Sequence, residues 1–253
     1  MIRTLNWTGL VVVATFPFFW LVIGISGLSS PSPSNNIKMS TINDSACGRK
    51  VQSIFRSQNI LLTGASGGLG RSFALQLAHC GVASIILSGR NEESLQQVAD
   101  ECKSIQAGII IHVITADLGS PASVQDLANK ALQVTSGRVD ILINNGGVSS
   151  RSSFLETKLE VDQTLMQINF FAGAALAKAV VPGMVERGFG KIIWISSVQG
   201  LMGIPNRTSY AASKFAVQGY CEALRGELAT SGIMVQVASP GYIRTNLSRS
   251  AMT

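Results

Sequence analysis

Residues 59–70 read Asn-Ile-Leu-Leu-Thr-Gly-Ala-Ser-Gly-Gly-Leu-Gly, a short apolar run that passes straight into a glycine-rich turn. A helical pattern follows over residues 68–80. Glycine at such a turn lets the backbone bend tightly and approach a pyrophosphate. The charge of that group is met by the free N–H groups and the positive dipole end of the next helix. A glycine-rich string alone is often only a turn. Its position between a first strand and a helix is what points to a dinucleotide, with Gly64, Ser66, Gly68, Leu69 and Gly70 in reach of it.

Outward from this turn, short β-branched and aliphatic runs alternate with helical patterns. Strands are expected at residues 59–63, 84–88, 109–115, 141–144, 191–196 and 234–238, and helices at 68–80, 91–106, 121–135 and 210–229. Strands that are apolar on both faces, each followed by a helix, indicate a parallel sheet covered on both sides. The expected fold is therefore α/β, a doubly wound parallel sheet of the Rossmann type over residues 57–253.

The end of the second strand selects the dinucleotide. An acidic residue there would bind the ribose hydroxyls of NAD, but the chain reads Ile85-Ile-Leu-Ser-Gly-Arg90, with glycine in place of the acid and a guanidinium beside it. Arg90 can pair with a 2′-phosphate, so NADP is expected ahead of NAD; the alternative is an exposed charge at a strand end.

Thr63-Gly-x-x-x-Gly-x-Gly70 is followed in order by Asp117-Leu118, Asn144-Asn-Gly-Gly147, Asn169, Ser197, Tyr210-x-x-x-Lys214 and Pro240-Gly241 with Thr245. This ordered set resembles the classical short-chain dehydrogenase/reductases. A lone Tyr-x-x-x-Lys occurs by chance in many chains; the ordered set does not. Residues 195–215 and 239–248, with the apolar N-terminus, most resemble the membrane-anchored dehydrogenase/reductase SDR family member 7B group. One motif position departs, Gly146, where the family usually has alanine. Through Gly67 the loop also satisfies the glycine spacing of the extended, epimerase-like branch, whereas Asn-Asn-Gly-Gly and the overall spacing favour the classical one.

Tyr210 and Lys214 are four apart in a helical pattern and so share a face. A phenol with a pKa near ~10 is a poor acid or base at neutral pH, and a nearby ammonium lowers it by stabilising phenolate. Tyr210 then approaches the range in which it can protonate an alkoxide formed by hydride addition to a carbonyl. An exposed Tyr–Lys pair on a surface helix is the blander reading. The resemblance implies that Lys214 also holds the nicotinamide ribose, that Ser197 hydrogen-bonds the substrate oxygen and that Asn169 anchors a proton-relay water. It further implies that Asp117 and Leu118 meet the adenine end, that Asn145 and Gly146 line the cofactor with backbone groups, and that Thr245 bonds the carboxamide. Without the family, Asn169 is only a polar residue in an apolar helix that needs a partner. Ser196 is the neighbouring alternative to Ser197 and would face the other way if strand alternation persists.

The 253 residues are 46% hydrophobic and 13% charged, enough for one packed domain and unlike a disordered chain. Four scattered cysteines without a Cys-x-x-Cys pair and two histidines offer neither a disulfide scaffold nor a zinc site, so no metal is expected. The net charge of +6 is spread as single residues, with no run longer than Arg49-Lys50 and no interleaved aromatics, which argues against a nucleic-acid partner.

Between Arg3 and Lys38 no side chain is charged, and residues 9–28 are almost continuously apolar, the length needed to cross a bilayer. Residues 1–28 are expected to be an uncleaved membrane anchor, with a removable signal peptide as the competitor. Residues 29–56 read as a Ser/Pro/Asn-rich linker. The glycosylation acceptors Asn206-Arg-Thr and Asn246-Leu-Ser both fall in expected active-site loops, where a glycan would obstruct substrate. This favours the endoplasmic reticulum membrane with a cytosolic catalytic domain over a secretory lumen.

Family members continue past the equivalent of Thr253 through a substrate-covering loop, a helix and a seventh strand. The resemblance therefore implies a C-terminally truncated domain, lacking its last strand and lid, with residues 234–238 as an apolar edge. Two functions are compatible: an NADP-dependent oxidoreductase interconverting a carbonyl and a secondary or primary alcohol on an apolar, lipid-like substrate, or a non-catalytic dinucleotide-binding protein. A homodimer is a candidate assembly.

Overall fold

A computed structural model describes residues 52–243 and Met252. The expected anchor, most of the linker, Cys47, Thr245 and Asn246 lie outside the described residues.

Six strands form one parallel sheet: β1 (Asn59–Thr63), β2 (Ser84–Gly89), β3 (Ile110–Thr115), β4 (Ile141–Asn144), β5 (Gly190–Ile195) and β6 (Ile233–Ala238), in the order β3-β2-β1-β4-β5-β6. The crossovers are helices α1 (Gly68–His79), α2 (Glu92–Ile105), α3 (Pro121–Val134), α4 (Leu159–Met166) continuing into α5 (Ala172–Arg187), and α6 (Thr208–Glu227). The order reverses at β1, so the loops after β1 and β4 open side by side, which is where doubly wound sheets bind ligands.

The reason the strands are apolar without alternation is visible in how they divide between two cores. Leu61, Ile86, Leu142 and Ile192 point to one face, where Val124, Leu127, Leu176, Val180, Val217 and Cys221 of α3, α5 and α6 cover them. Ile60, Leu62, Ile85, Leu87, Ile141 and Ile143 point to the other, under Ala74 and Leu77 of α1 and Leu95, Val98 and Cys102 of α2. Leu61 is paired with both Ile86 and Leu142, and all three are fully buried. Each such side chain contributes about 1.5–3 kcal/mol by leaving water.

Element ends differ from the sequence expectation by a residue or two. The helix that carries Tyr210 starts at Thr208, not at Tyr210, because hydrophobic periodicity registers only from its first apolar residue while Thr208 and Ser209 build the first turn. α4 and α5 are joined by a π-helical turn, Gln167–Phe171, in which the Ala172 N–H reaches back to the Gln167 carbonyl. The extra residue is invisible in the composition of MQINFF, and it sets the direction in which Asn169 projects. The whole stretch Leu159–Arg187 is apolar enough to span a bilayer by length, but Ala172, Leu176, Val180 and Met184 belong to the sheet's core.

At the N-terminal ends of the strands, residues 52–55 form a helical turn whose Ile54 carbonyl accepts a bond from Lys191 Nζ at 3.2 Å, and Ser57 N–H donates to Gly81 O. The chain thus enters the domain at the end of the sheet away from the ends that carry Tyr210 and Ser197. Among the described residues β6 pairs only with β5, with Met234 39% exposed on it.

Candidate active site

Two loops meet at the switch point and lock each other. Thr63 Oγ1, at the end of β1, accepts bonds from the Asn145 N–H at 3.1 Å and the Gly146 N–H at 2.9 Å. Asn145 Nδ2 donates back to the Thr63 and Gly64 carbonyls at 3.0 and 3.2 Å. Thr63 was legible only as the first letter of a motif; its hydroxyl is the pin of the arrangement. The backbone N–H groups of Asn145 and Gly146 are committed to it.

The glycine-rich turn is shaped for close approach. Gly64 has φ +65°, and a Cβ there would lie 2.8 Å from Gly146 Cα. A Cβ on Gly70 would lie 2.0 Å from the Gly64 carbonyl oxygen, so helix α1 can sit this near the turn only with glycine. α1 has no side-chain cap and no acidic residue in its first turn, so its first N–H groups and positive dipole end are left for an anion. Ser66 lies against Gly89, where a Cβ would be 3.3 Å from Ser66 Oγ, bringing the turn next to Arg90. Arg90 is exposed and has no hydrogen-bond or ion-pair partner among the described residues. These features fit a dinucleotide bearing phosphates. Asp117 is exposed and closes its own turn by accepting the Gly119 N–H at 2.9 Å. The Leu118 carbonyl accepts from Gln167 Nε2 at 3.1 Å, and its side chain reaches the space in front of Gly146, where a Cβ would come 2.5 Å from Leu118 Cδ1.

Beyond this pair of loops, Ser197, Tyr210 and Lys214 come together. Tyr210 and Lys214 share the buried face of α6, at 6% and 5% exposure, with Lys214 Nζ 5.7 Å from the Tyr210 ring centroid. Ser197 follows β5, hydrogen-bonds the Tyr210 side chain, and accepts the Gln199 N–H at 3.2 Å. Ser196 does face elsewhere: its hydroxyl donates to the Lys214 carbonyl at 3.4 Å and receives Gln218.

Asn169 Oδ1 accepts the Val148 N–H at 2.8 Å, and its Nδ2 donates to the Val148 carbonyl at 3.0 Å and to Ser213 Oγ at 2.9 Å. The partners that a buried amide requires are thus the loop after β4 and helix α6. Asn169 braces the two elements that flank Lys214.

The electrostatics differ from the sequence expectation in one respect. Burial raises the Tyr210 phenol above its usual range; the Ser197 hydrogen bond and the charge of Arg207 oppose this. Lys214 is itself lowered to about 8 by burial, and its Nζ donates to the Ile195 carbonyl at 2.9 Å. Arg207, which carries no motif in the sequence, also favours Tyr210 phenolate, while Lys214 Nζ stands 5.7 Å from the phenol ring centroid. The only signal for Arg207 is its place one helical turn before Tyr210.

A family profile described as short chain dehydrogenase matches residues 58–253. The chain is 40% identical over 208 residues to the dehydrogenase/reductase SDR family member 7B of Bos taurus, covering 81% of this chain and 63% of that one. It thus spans somewhat under two thirds of that relative's length. Among solved structures, a short-chain dehydrogenase from Sphingobium yanoikuyae in complex with NADPH superposes with a TM-score of 0.69 at 30% identity, covering 78% of this chain and 75% of that one. An NAD+-bound xylitol dehydrogenase superposes with a TM-score of 0.69 at 28% identity, covering 74% and 71%.

Proposed function

The chain belongs to the short chain dehydrogenase family, and on that premise we propose that it interconverts a carbonyl and an alcohol on an apolar, lipid-like substrate with NADP as its cofactor. The observation that carries the reaction class is the buried cluster of Ser197, Tyr210 and Lys214 beside a glycine turn that leads into an uncapped helix N-terminus.

Gly64, Ser66, Gly68, Leu69 and Gly70 would hold the pyrophosphate and Arg90 the 2′-phosphate, Asp117 and Leu118 would meet the adenine, and Thr245, outside the described residues, would bond the carboxamide. Asn145 and Gly146 act through the bracket they make with Thr63. When bound, the dinucleotide supplies or accepts the hydride. Ser197 donates a hydrogen bond to the substrate oxygen and stabilises the charge that grows on it. Tyr210 gives its proton to that oxygen during reduction and, as phenolate, takes it back during oxidation. Lys214, mostly an ammonium at neutral pH, would hold the ribose hydroxyls. Both N–H donors of the Asn169 side chain are engaged, by the Val148 carbonyl and the Ser213 hydroxyl.

Membrane attachment through residues 9–28, at the endoplasmic reticulum with the domain in the cytosol, completes the reading. The uncharged apolar run supports it, and it in turn supports the lipid-like substrate. NADPH oxidation by the full chain, assayed with long-chain or polycyclic ketones beside small sugars, tests it. Turnover should appear with the apolar ketones and fall by roughly a hundredfold or more in Tyr210→Phe, while NADPH binding persists. Turnover with sugars alone would remove the lipid assignment, and full turnover in Tyr210→Phe would remove the mechanism.

A further inference from the structure

Asn144 and Trp194 stand opposite each other near the ends of β4 and β5, directly paired in the sheet. Both are buried, at 6% and 1% exposure. Each carries a polar atom that finds no hydrogen-bond partner among the described residues, the Asn144 Oδ1 oxygen and the Trp194 Nε1–H. The Asn144 amide cannot turn round to relieve this. Its Nδ2 donates to the Gly173 carbonyl at 3.3 Å, and the reversed amide would set two oxygens against each other. The indole is held in place by Phe170 and Tyr220, with ring centroids 6.5 and 6.0 Å away. Gly173 of α5 lets both side chains come close, since a Cβ there would lie 2.6 Å from Trp194 Cη2 and 3.0 Å from Asn144 Cγ.

The two orphaned atoms are complementary, one donor and one acceptor, yet they do not bond each other. Asn144 and Trp194 line one cavity of about 10 Å³, with Thr63 and Asn169 also on its wall. One water needs roughly that volume and about two to four polar partners. Thr63 Oγ1 already accepts two N–H groups, but Asn169 Oδ1 accepts only the Val148 N–H and has a lone pair to spare. Buried cavities that stay empty are apolar, and this one presents an unpaired donor and an unpaired acceptor.

We propose that a single ordered water is bound in this cavity as a structural ligand, accepting the Trp194 indole N–H and donating to Asn144 Oδ1. Ser197, Tyr210 and Lys214 do not line the cavity, so the site is separate from the acid–base cluster and does not depend on the reaction proposed above. It joins the two halves of that arrangement from behind. β4 runs on from Asn144 into the Asn145–Gly146 bracket on Thr63, and β5 runs on from Trp194 to Ile195, whose carbonyl holds Lys214.

The full chain carries three tryptophans, Trp7, Trp20 and Trp194, so in a nitrogen-labelled spectrum the Trp194 indole N–H is the signal absent from Trp194→Phe. In the parent it should show cross-peaks to the water resonance, of opposite sign in laboratory-frame and rotating-frame Overhauser experiments, the mark of a water held within the protein. Asn144→Leu nearly keeps the side chain's size and removes the acceptor, and the cross-peak should be lost in it while the indole signal persists. A parent indole without a cross-peak to water means a dry cavity and overturns the proposal. A cross-peak unchanged in Asn144→Leu comes from another exchanging group and overturns it equally. If either variant does not fold, a crystal structure of the parent decides. An ordered oxygen within hydrogen-bond distance of both Trp194 Nε1 and Asn144 Oδ1 supports the site, and a cavity without density overturns it.

Discussion

Lys214 Nζ lies 2.9 Å from the carbonyl oxygen of Ile195, at the end of β5, and this is the one hydrogen bond its ammonium makes within the described residues. A charge buried to 5% exposure with so little compensation is costly, which is why Lys214 is lowered to about 8 from its usual 10.5. Between those two values the unfolded chain binds more protons at this residue than the native one. Stability from this group therefore rises as pH climbs from about 8 to about 10.5, and the full penalty is present below about 8. Lys214→Met should thus be more stable than the parent at pH 7, with the advantage shrinking by about 3 kcal/mol as pH rises through that window. Urea unfolding of the two proteins at pH 7 and pH 10 measures this. A difference independent of pH would mean that Lys214 is hydrated in the native state.

Arg90 stands exposed at the end of β2, beside the turn that carries Ser66, with no partner among the described residues. Arg90→Ala should weaken NADPH binding by roughly tenfold to a hundredfold, the scale of one charge-assisted hydrogen bond, and leave NADH nearly unchanged. Fluorescence titration with both dinucleotides checks it; an equal loss for the two would mean that Arg90 does not meet the 2′-phosphate.

Gly146 and Leu118 are complementary in size. A Cβ at Gly146 would come 2.5 Å from Leu118 Cδ1, and the next nearest atom, Thr63 Oγ1, is at 3.3 Å. Because Leu118 Cδ1 is the free end of a half-buried side chain, Gly146→Ala should displace Leu118 at a cost below about 1 kcal/mol, and Leu118→Ala in the same chain should remove that cost, with a coupling of about 0.5 kcal/mol. A double-mutant cycle from denaturant unfolding reads the coupling directly. Strict additivity would show that the Leu118 side chain moves away without cost.

Much of the fold is legible because its determinants are local in sequence. Strands β1 and β4 end where the apolar runs at Thr63 and Asn144 end, since a strand buried on both faces cannot continue into glycine and polar residues. The π-helical turn at Gln167–Phe171 is the counterexample. Its extra residue is tolerated because Asn169 is held from outside the helix by Val148 and Ser213, which no window of sequence contains.

The candidate site divides in the same way. Gly64, Gly70, Ser197, Tyr210 and Lys214 could be named from the chain because their chemistry depends on residue type at short spacing: a positive φ, a close backbone approach, a shared helical face. Where the neighbouring cations come to rest could not. Spacing names Lys214, four residues from Tyr210, but not that its ammonium is buried against the Ile195 carbonyl, nor that Arg207 is held by Ser149 and Ser150, more than fifty residues earlier. Strand positions, glycine chemistry and the identity of the reacting groups follow from local pattern and covalent geometry. The charge at Tyr210 is a sum over groups brought together by packing, and burial sets the weight of each, so only the tertiary structure could decide it.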